Sequence, residues 1–176
     1  MEPYQLNIPT RVYFGRNIWK EAIKAQELFL QGKIMIVTTG RSLVRLGYLD
    51  ELKKQIEKCS MVKKVIEFTS VSANPRLTEI REGIQLGKQE GIEKVIGFGG
   101  GSAIDAAKAI AVGVGTEEDI GEFYYYGKEP GKSTLPILAM PTTAGTGSEL
   151  SKAAIITDER QKMKNGVRGE ALYPTV

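Results

Sequence analysis

The chain has 176 residues, of which 41% are hydrophobic, and its 24 basic and 21 acidic side chains give a formal net charge of +3. That length suits one domain with one core, and because charges of both signs are interspersed, the small basic excess argues against a nucleic-acid partner. The lack of histidine excludes imidazole from catalysis and from metal binding, and the single cysteine, Cys59, excludes an internal disulfide.

Strand and helix patterns alternate along the chain. The apolar periodicity predicts a short strand over 12–15, a helix over 18–29 and a buried strand over 33–38 that ends at Gly40. The alternation continues with helices over 43–58, 77–90, 103–111 and 117–126 and strands over 63–68, 94–98 and 135–140. Apolar strands separated by helices indicate a parallel sheet that is covered on both faces. We therefore predict one α/β domain over residues 1–176, a doubly wound, mainly parallel sheet with helices on both faces.

Glycine-rich or polar segments follow the predicted strands, where the ligands of such sheets bind. Gly40 follows the second strand, Asn74 and Pro75 follow the third, and the segments 99–102 and 141–149 follow the last two. Asn74 and Pro75 are by themselves also typical of an ordinary turn. Together the segments predict a ligand site at the carboxyl edge of the sheet.

The Gly99-Gly100-Gly101-Ser102 segment joins a strand to an alanine-rich helix and is typical of an anion site. Glycines let backbone N–H groups approach a phosphate, and the positive end of the helix dipole lies at the same point. We predict that a phosphorylated cofactor binds here. The alternative is a tight turn with Ser102 as the N-cap and Asp105 in a capping box. The spacing is not the G-x-G-x-x-G of the ordinary dinucleotide fold.

The segment over 141–149 is rich in hydroxyl groups. Thr142, Thr143, Thr146 and Ser148 lie among two glycines directly after a buried strand. Such a loop can bind a carboxamide, a ribose or a phosphate, and a solvated loop is the alternative.

These motifs together resemble the iron-containing (group III) alcohol dehydrogenase family. Residues 99–108 match its G-G-G-S-x-x-D-x-A-K element, and residues 141–149 match its P-T-T-A-G-T-G-S-E element. Residues 9–15 are similar to the entry strand of the family, and Asn74 with Pro75 to its N-P pair. The resemblance extends over nearly the whole chain. It implies the Rossmann-like, dehydroquinate synthase-like first domain of that family, which binds the nucleotide.

The resemblance implies hydride transfer between a nicotinamide cofactor and a small alcohol or aldehyde, with divalent iron polarising the substrate oxygen. It assigns the cofactor to residues on three segments. Gly100, Gly101 and Ser102 would hold the pyrophosphate, Thr142, Thr143 and Thr146 would bracket the nicotinamide and ribose side, and Asn74 and Asp105 would flank the cofactor.

The family binds iron through one aspartate and three histidines in a helical second domain, and we expect that domain to be absent from this chain. The chain then represents a truncated first half, without metal ligands or catalytic residues of its own and without alcohol dehydrogenase turnover. Apolar surface should be exposed where the second domain would pack. The resemblance also suggests a homodimer.

The position of Gly40 bears on the choice of cofactor. Many family members carry aspartate there, and its carboxylate accepts from the 2′-hydroxyl of the adenosine ribose and repels a 2′-phosphate. Gly40, Arg41 and Ser42 offer a small residue, a cation and a hydroxyl instead. We predict that Gly40 and Ser42 contact the cofactor and that NADPH binds at least as well as NADH.

Two other functions stay open from the sequence. One is a non-catalytic module that senses dinucleotide, and the other is an ATP-binding domain similar to sugar kinases, for which no catalytic aspartate is evident. The aromatic run over 123–126 can line a ligand cleft or cover the core. No apolar run approaches the roughly 20 residues that cross a bilayer, and residues 1–4 lack a signal-peptide pattern. We expect a soluble, cytoplasmic protein without a membrane partner.

Overall fold

The computed structural model describes residues 7–26 and 29–176, so the predicted helix over 18–29 includes two positions, 27 and 28, outside the described residues, as does the segment 1–4. The described elements follow in chain order: α1 Trp19–Ala25, β1 Gly32–Thr39, α2 Ser42–Arg45, α3 Tyr48–Ile56, β2 Val62–Val71, α4 Leu77–Glu90, β3 Lys94–Gly99, α5 Gly101–Val114, α6 Ile120–Tyr125, β4 Ile137–Pro141, β5 Ala153–Asp158 and β6 Met163–Arg168. Short 3-10 helices lie at Ser148–Leu150 and Glu170–Leu172.

The central sheet has four parallel strands in the order β2-β1-β3-β4. Ile36 of β1 pairs with Ile96 of β3, and Ile96 pairs in turn with Leu138 of β4. The chain moves outward from β1 to β2 and then returns to the other side of β1, so its winding direction reverses between β1 and β3. At such a reversal a crevice opens beyond the carboxyl ends of the two strands.

Helices cover both faces of this sheet, which confirms the doubly wound architecture. Met35 and Val37 of β1 belong to a core formed with α4 and α5, whereas Ile34 and Ile36 belong to a second core formed with α1 and α3. This alternation follows from the period of two in a strand, which sends successive side chains to opposite faces. The near-continuous apolar run of β1 is therefore buried from both sides.

Helix α5 packs unusually close to β3 because Gly97 has no side chain. A Cβ at Gly97 would lie 2.9 Å from the Cα of Ile104 and 3.0 Å from the Cβ of Ala107. Most of α5 is buried, including its alanines and the charged Lys108. The close fit fixes the start of α5 against the end of β3, where the predicted anion site lies.

The strand predicted over 12–15 is wrong. These residues are irregular, and the side chains of Val12 and Phe14 are 60% and 98% exposed. The neighbouring edge of β4 is already occupied, since Thr175 N donates to Ile137 O over 2.8 Å and Ala139 N donates to Val176 O over 2.8 Å. Among the described residues, Arg11, just before this segment, donates one backbone bond to Thr175 O, and residues 12–15 have no strand to pair with.

Two helix predictions were too long. The helix predicted over 43–58 is divided into α2 and α3 by Gly47, whose φ of +77° is left-handed and interrupts a right-handed helix. The helix predicted over 117–126 begins only at Ile120, because Asp119 is its N-cap. The side chain of Asp119 accepts a hydrogen bond from Gly121 N over 2.8 Å, as N-cap residues do.

The strands β5 and β6 form an antiparallel hairpin that the sequence did not predict. Its inward side chains, Ala154, Ile156 and Val167, are fully buried in the core that contains α5. The four-stranded sheet is parallel throughout, and the hairpin forms a separate two-stranded sheet. Its strands lie beside the start of α5 and so contribute to the site described below.

The aromatic run of α6 covers the core and holds the hairpin. Phe123 and Tyr124 are buried, and the hydroxyl of Tyr124 donates to Met163 O over 3.0 Å. Tyr126, in contrast, is 78% exposed. In the described part of the chain, no helix has the length and apolar character needed to span a bilayer.

Candidate functional site

The end of β3 turns directly into α5 through three glycines. Gly99 has a φ of +148°, and Gly100 is the N-cap of the helix. The first intrahelical bonds run from Ala103 N and Ile104 N to Gly100 O. The amides of Gly101 and Ser102 precede those donors, and such early amides point out of a helix N-terminus. The sequence alternative that made Ser102 the N-cap is therefore wrong by two positions.

The threonine loop lies against these glycines. A Cβ at Gly101 would be 3.0 Å from the Cβ of Thr146, and a Cβ at Gly100 would be 3.6 Å from the Oγ1 of Thr143. The loop is held there by a bond from Thr142 N to Gly99 O over 2.9 Å. Two segments that are about forty residues apart in the sequence thus form one mouth of backbone amides and hydroxyls. We call residues 99–102 together with 142–146 the glycine–threonine mouth.

Asn74 lies on the other side of this mouth. Its backbone is left-handed, with a φ of +58°, and its N–H donates to the Oγ of Ser102 over 3.2 Å. Its side-chain oxygen accepts from Lys164 Nζ over 2.9 Å. Lys164, on β6, was not identified from the sequence, since nothing in its own segment distinguishes it from other exposed lysines. The structure adds it as a cation beside the predicted pyrophosphate position.

Asp105 lies one turn along α5 from Gly101. Its carboxylate accepts from the hydroxyl of Ser148 and, over 3.1 Å, from the N–H of Ile155. Burial raises the pKa of Asp105, an effect that the two hydrogen bonds and the nearby Lys108 oppose. The capping-box alternative for Asp105 is wrong, because its acceptors serve these two residues. Its place beside the cofactor stays a prediction.

Lys108 lies one turn further along α5 and is fully buried. Its ammonium group donates to backbone oxygens of Ser148 and Ser151, each over 2.6 Å, and of Ala153 over 3.1 Å. Burial lowers the pKa of Lys108 to about 8, with the negative charges of Asp105 and Glu149 acting in the opposite direction. Lys108 and Asp105 are charged residues in a helix rich in alanine, which the sequence shows, although their partners could not be predicted from it.

The end of β1 forms the second wall of the crevice. Gly40 has a φ of +65°, and a Cβ there would meet no atom within 4 Å. Ser42 follows as the first residue of α2. The hydroxyl of Thr38 is buried and has no hydrogen-bond partner among the described residues, and it lies 3.7 Å from where a Cβ of Gly99 would be. An unpaired buried hydroxyl next to a turn without side chains fits a site that accepts a polar ligand.

A large cavity borders the threonine loop on the other face of the sheet. It has a volume of about 960 Å³, and Thr142 and Thr143 contribute to its wall together with residues of α1 and of the segment 10–15. Among its lining side chains, Val12, Phe14 and Tyr48 are largely exposed. Exposed apolar side chains of this kind mark a surface suited to contact with other protein.

A metal site would need several ligand side chains close together. Residues 7–26 and 29–176 contain no group of three or more histidine, cysteine, aspartate or glutamate side chains that could hold a metal ion. The described residues therefore do not fit an iron site, whereas the glycine–threonine mouth fits a dinucleotide.

Residues 9–176 match the family model for iron-containing alcohol dehydrogenase. The NADH-dependent butanol dehydrogenase B of Clostridium acetobutylicum is 36% identical over 159 residues, which are 90% of this chain and 40% of that protein. The NADH-dependent butanol dehydrogenase A of the same organism is 32% identical over 177 residues, which are 99% of this chain and 44% of that protein. The chain thus spans less than half the length of these relatives.

Solved structures match the whole chain. The crystal structure of the NADH-dependent butanol dehydrogenase A of Thermotoga maritima has a TM-score of 0.91 at 33% identity, over 100% of this chain and 44% of that one. The sulfoacetaldehyde reductase of Bifidobacterium kashiwanohense, in complex with NAD⁺, has a TM-score of 0.87 at 30% identity, over 100% of this chain and 46% of that one. The sheet and its helices are thus those of the matched part of such enzymes.

Proposed function

Because the chain belongs to the iron-containing alcohol dehydrogenase family, we propose that it is the dinucleotide-binding part of an enzyme that transfers hydride between NAD(P) and a small alcohol or aldehyde. The observation that carries this proposal is the glycine–threonine mouth, in which free helix amides face threonine hydroxyls at the carboxyl edge of the sheet. The alcohol dehydrogenases named above support the reaction class. Alcohols and aldehydes are the proposed substrates of the whole enzyme.

The mouth has the charge that a diphosphate requires. The amides of Gly101 and Ser102 and the positive end of α5 attract an anion. The one carboxylate in the early turns of α5, that of Asp105, is turned toward Ser148 and Ile155. Lys164, held by Asn74, adds a positive charge nearby. A pyrophosphate at this position would meet donors and a cation, while the carboxylate of Asp105 is engaged by Ser148 and Ile155.

The threonine hydroxyls would bind the nicotinamide side of the cofactor. Thr143 and Thr146 lie beside the glycines, and Thr142 and Thr143 also line the large cavity. A hydroxyl can donate and accept, as the carboxamide and ribose groups require. The nicotinamide would then lie toward the cavity, where an alcohol could approach it.

The end of β1 would receive the adenosine ribose. The backbone at Gly40 is open, and the residues from Thr38 to Ser42 include one cation, Arg41, and no carboxylate. A 2′-phosphate would therefore meet no repulsion from this segment, and we propose that NADPH binds at least as well as NADH. The relatives named above carry NADH in their names, and this chain would differ from them in that respect.

Iron would act in the whole enzyme as a Lewis acid on the substrate oxygen. The described residues offer no ligand set for it, and no role for the metal is assigned to them. We propose that the chain alone is catalytically incomplete and that the exposed apolar rim of the large cavity contacts the remainder of the enzyme. A homodimer stays a prediction from the resemblance, and a cytoplasmic location stays a prediction from the sequence.

Calorimetric titration of the purified chain with NADH, NADPH and ATP tests the proposal. We expect binding of one or both nicotinamide cofactors and weaker or no binding of ATP. Preferential binding of ATP would favour the kinase-like alternative, and no heat with either nicotinamide cofactor would contradict dinucleotide binding. Alcohol oxidation by the chain with added ferrous iron would show that it is catalytically complete.

A further inference from the structure

The ammonium group of Lys108 is buried without a carboxylate in salt-bridge contact in the described part of the chain. Its partners are the carbonyl oxygens of Ser148, Ser151 and Ala153, and the hydroxyl of Ser151 lies 3.1 Å away. Burying an ammonium group is costly unless hydrogen bonds compensate. The side chain of Lys108 therefore binds the segment that follows the threonine loop.

Asp105 binds the same segment from the same face of α5. Residues 101, 105 and 108 are spaced by four and three, so they lie in a row along one face of a helix. Along that row, Gly101 meets Thr146, Asp105 binds Ser148 and Ile155, and Lys108 binds the carbonyls beyond. The segment after the threonine loop is thus fastened along the same helix whose first turn forms the mouth.

We propose that Asp105 and Lys108 are positioning residues for the dinucleotide, which they need not touch. By fixing residues 148–155 on α5, they set the spacing between the helix amides and the hydroxyls of Thr143 and Thr146. This inference rests on the proposed dinucleotide function. Among the described residues, the bond from Thr142 N to Gly99 O joins the loop to the glycines directly, so without Asp105 and Lys108 the spacing between the two halves of the mouth would be held less firmly.

Because Lys108 can lose a proton, its hydrogen bonds to residues 148–155 should depend on pH. The pKa of Lys108 is lowered to about 8 by burial, and the charges that face it, Asp105 on its own helix and Glu149 on the 3-10 helix, act against that shift. Deprotonation leaves two N–H donors for three carbonyl oxygens. Cofactor affinity should therefore decrease several-fold between about pH 7 and pH 9.5, and only in chains that contain Lys108.

The test compares Lys108→Met with Asp105→Asn and with the matched control Lys132→Met, which changes an exposed lysine elsewhere. Dissociation constants for NADPH and NADH are measured at pH 7 and pH 9.5, with circular dichroism and thermal unfolding as checks on folding. We expect Lys108→Met to bind about tenfold more weakly at pH 7 and to lose the pH dependence. Asp105→Asn should bind several-fold more weakly, and its pH dependence should move to lower pH, because the charge that raises the pKa of Lys108 is lost.

Should Lys108→Met fail to fold, Ser148→Ala removes only the hydroxyl that binds Asp105 and should still weaken binding a few-fold. Folded variants that bind as tightly as the unmodified chain, or that keep its pH profile without Lys108, would overturn the positioning role. If the unmodified chain itself binds neither cofactor, the proposed function fails, and the positioning role fails with it. Failure of the proposed function would therefore be seen in the unmodified chain, whereas failure of the positioning role alone would be seen only in the variants.

Discussion

The N–H of Asn74 donates to the Oγ of Ser102 across 3.2 Å, and this bond joins the loop after β2 to the first turn of α5. The side chain of the same asparagine accepts from Lys164 on β6. Three segments that are distant in sequence therefore meet within one short network. A ligand at the mouth would contact a preformed arrangement and would not have to order these residues on binding.

Adding a methyl group to Gly100 should weaken dinucleotide binding without unfolding the chain. The φ of Gly100, −75°, suits alanine, and the new Cβ would make an ordinary contact of 3.6 Å with Thr143 Oγ1. The methyl would nevertheless occupy space between the amides and the ligand, and we expect affinity to decrease by about tenfold. Titration of Gly100→Ala measures this. Gly131→Ala, at an open glycine elsewhere, should bind as the unmodified chain does.

Gly40→Asp should shift the preference from NADPH toward NADH. Aspartate tolerates the left-handed backbone better than most residues, and the space around Gly40 is open, so the fold should be kept. A carboxylate there would repel a 2′-phosphate, and we expect NADPH affinity to decrease at least about tenfold relative to NADH. Gly127→Asp is the matched control, because Gly127 is also left-handed and open. An unchanged ratio in Gly40→Asp would place the adenosine ribose elsewhere.

Gly97→Ala should destabilise the fold. The added Cβ would lie 2.9 Å from the Cα of Ile104 and 3.0 Å from the Cβ of Ala107, and backbone cannot move as a flexible side chain can. Overpacking of this kind costs about 1–3 kcal/mol of the free energy of unfolding. Denaturant unfolding at neutral pH measures the loss, with Gly131→Ala as the reference. A stability equal to that of the reference would show that α5 can move away from β3 without cost.

Asp119 should stabilise α6 in a pH-dependent manner. Its carboxylate caps Gly121 N and pairs with Arg81 over 2.7 Å, and this ion-paired hydrogen bond holds the pKa of Asp119 below its ordinary value. A lowered folded-state pKa stabilises the fold above about pH 4, and the stabilisation is lost as the pH decreases through the folded-state pKa. Asp119→Ala should cost about 1 kcal/mol at pH 7.

Asp119→Asn separates the two contributions of that side chain. The amide oxygen can still accept from Gly121 N, whereas the charge that pairs with Arg81 is lost. We expect a smaller loss of stability than in Asp119→Ala and a weaker dependence on pH below 4. Urea unfolding of both variants between pH 3 and pH 7 decides this, and equal losses at every pH would argue against a role for the charge.

The parts of the fold that follow from local periodicity were predictable. Helix α4 was predicted with the bounds that it has, and β1 and β3 were located correctly because their apolar runs are continuous. The hairpin was missed since β6 contains lysine, asparagine and glycine, and its burial depends on contact with α5. The failure at 12–15 has a similar cause, because that segment alternates like a strand but finds its partner edge occupied.

The position of the site could be predicted from the sequence, because it depends on the topology of the sheet. Placing the glycines and the threonine loop at one edge of the sheet required only the order of strands and helices. The hydrogen-bond partners of the side chains could not be predicted from the sequence. Asp105 could be expected at a capping position, and only the three-dimensional path of residues 148–155 shows that it binds Ser148 and Ile155 instead. Lys164 likewise reaches Asn74 only because the hairpin folds back on α5.

The tail at Thr175 and Val176, bonded to β4, has a consequence for behaviour at high concentration. Exposed backbone at the rim of a sheet is a template for strand addition between molecules. Thr175 and Val176 bond with Ile137 and Ala139 at one rim, and on the other rim β2 presents Lys63, Lys64 and Glu67 to solvent. Intermolecular strand pairing is thereby disfavoured at both rims, which guards the chain against aggregation.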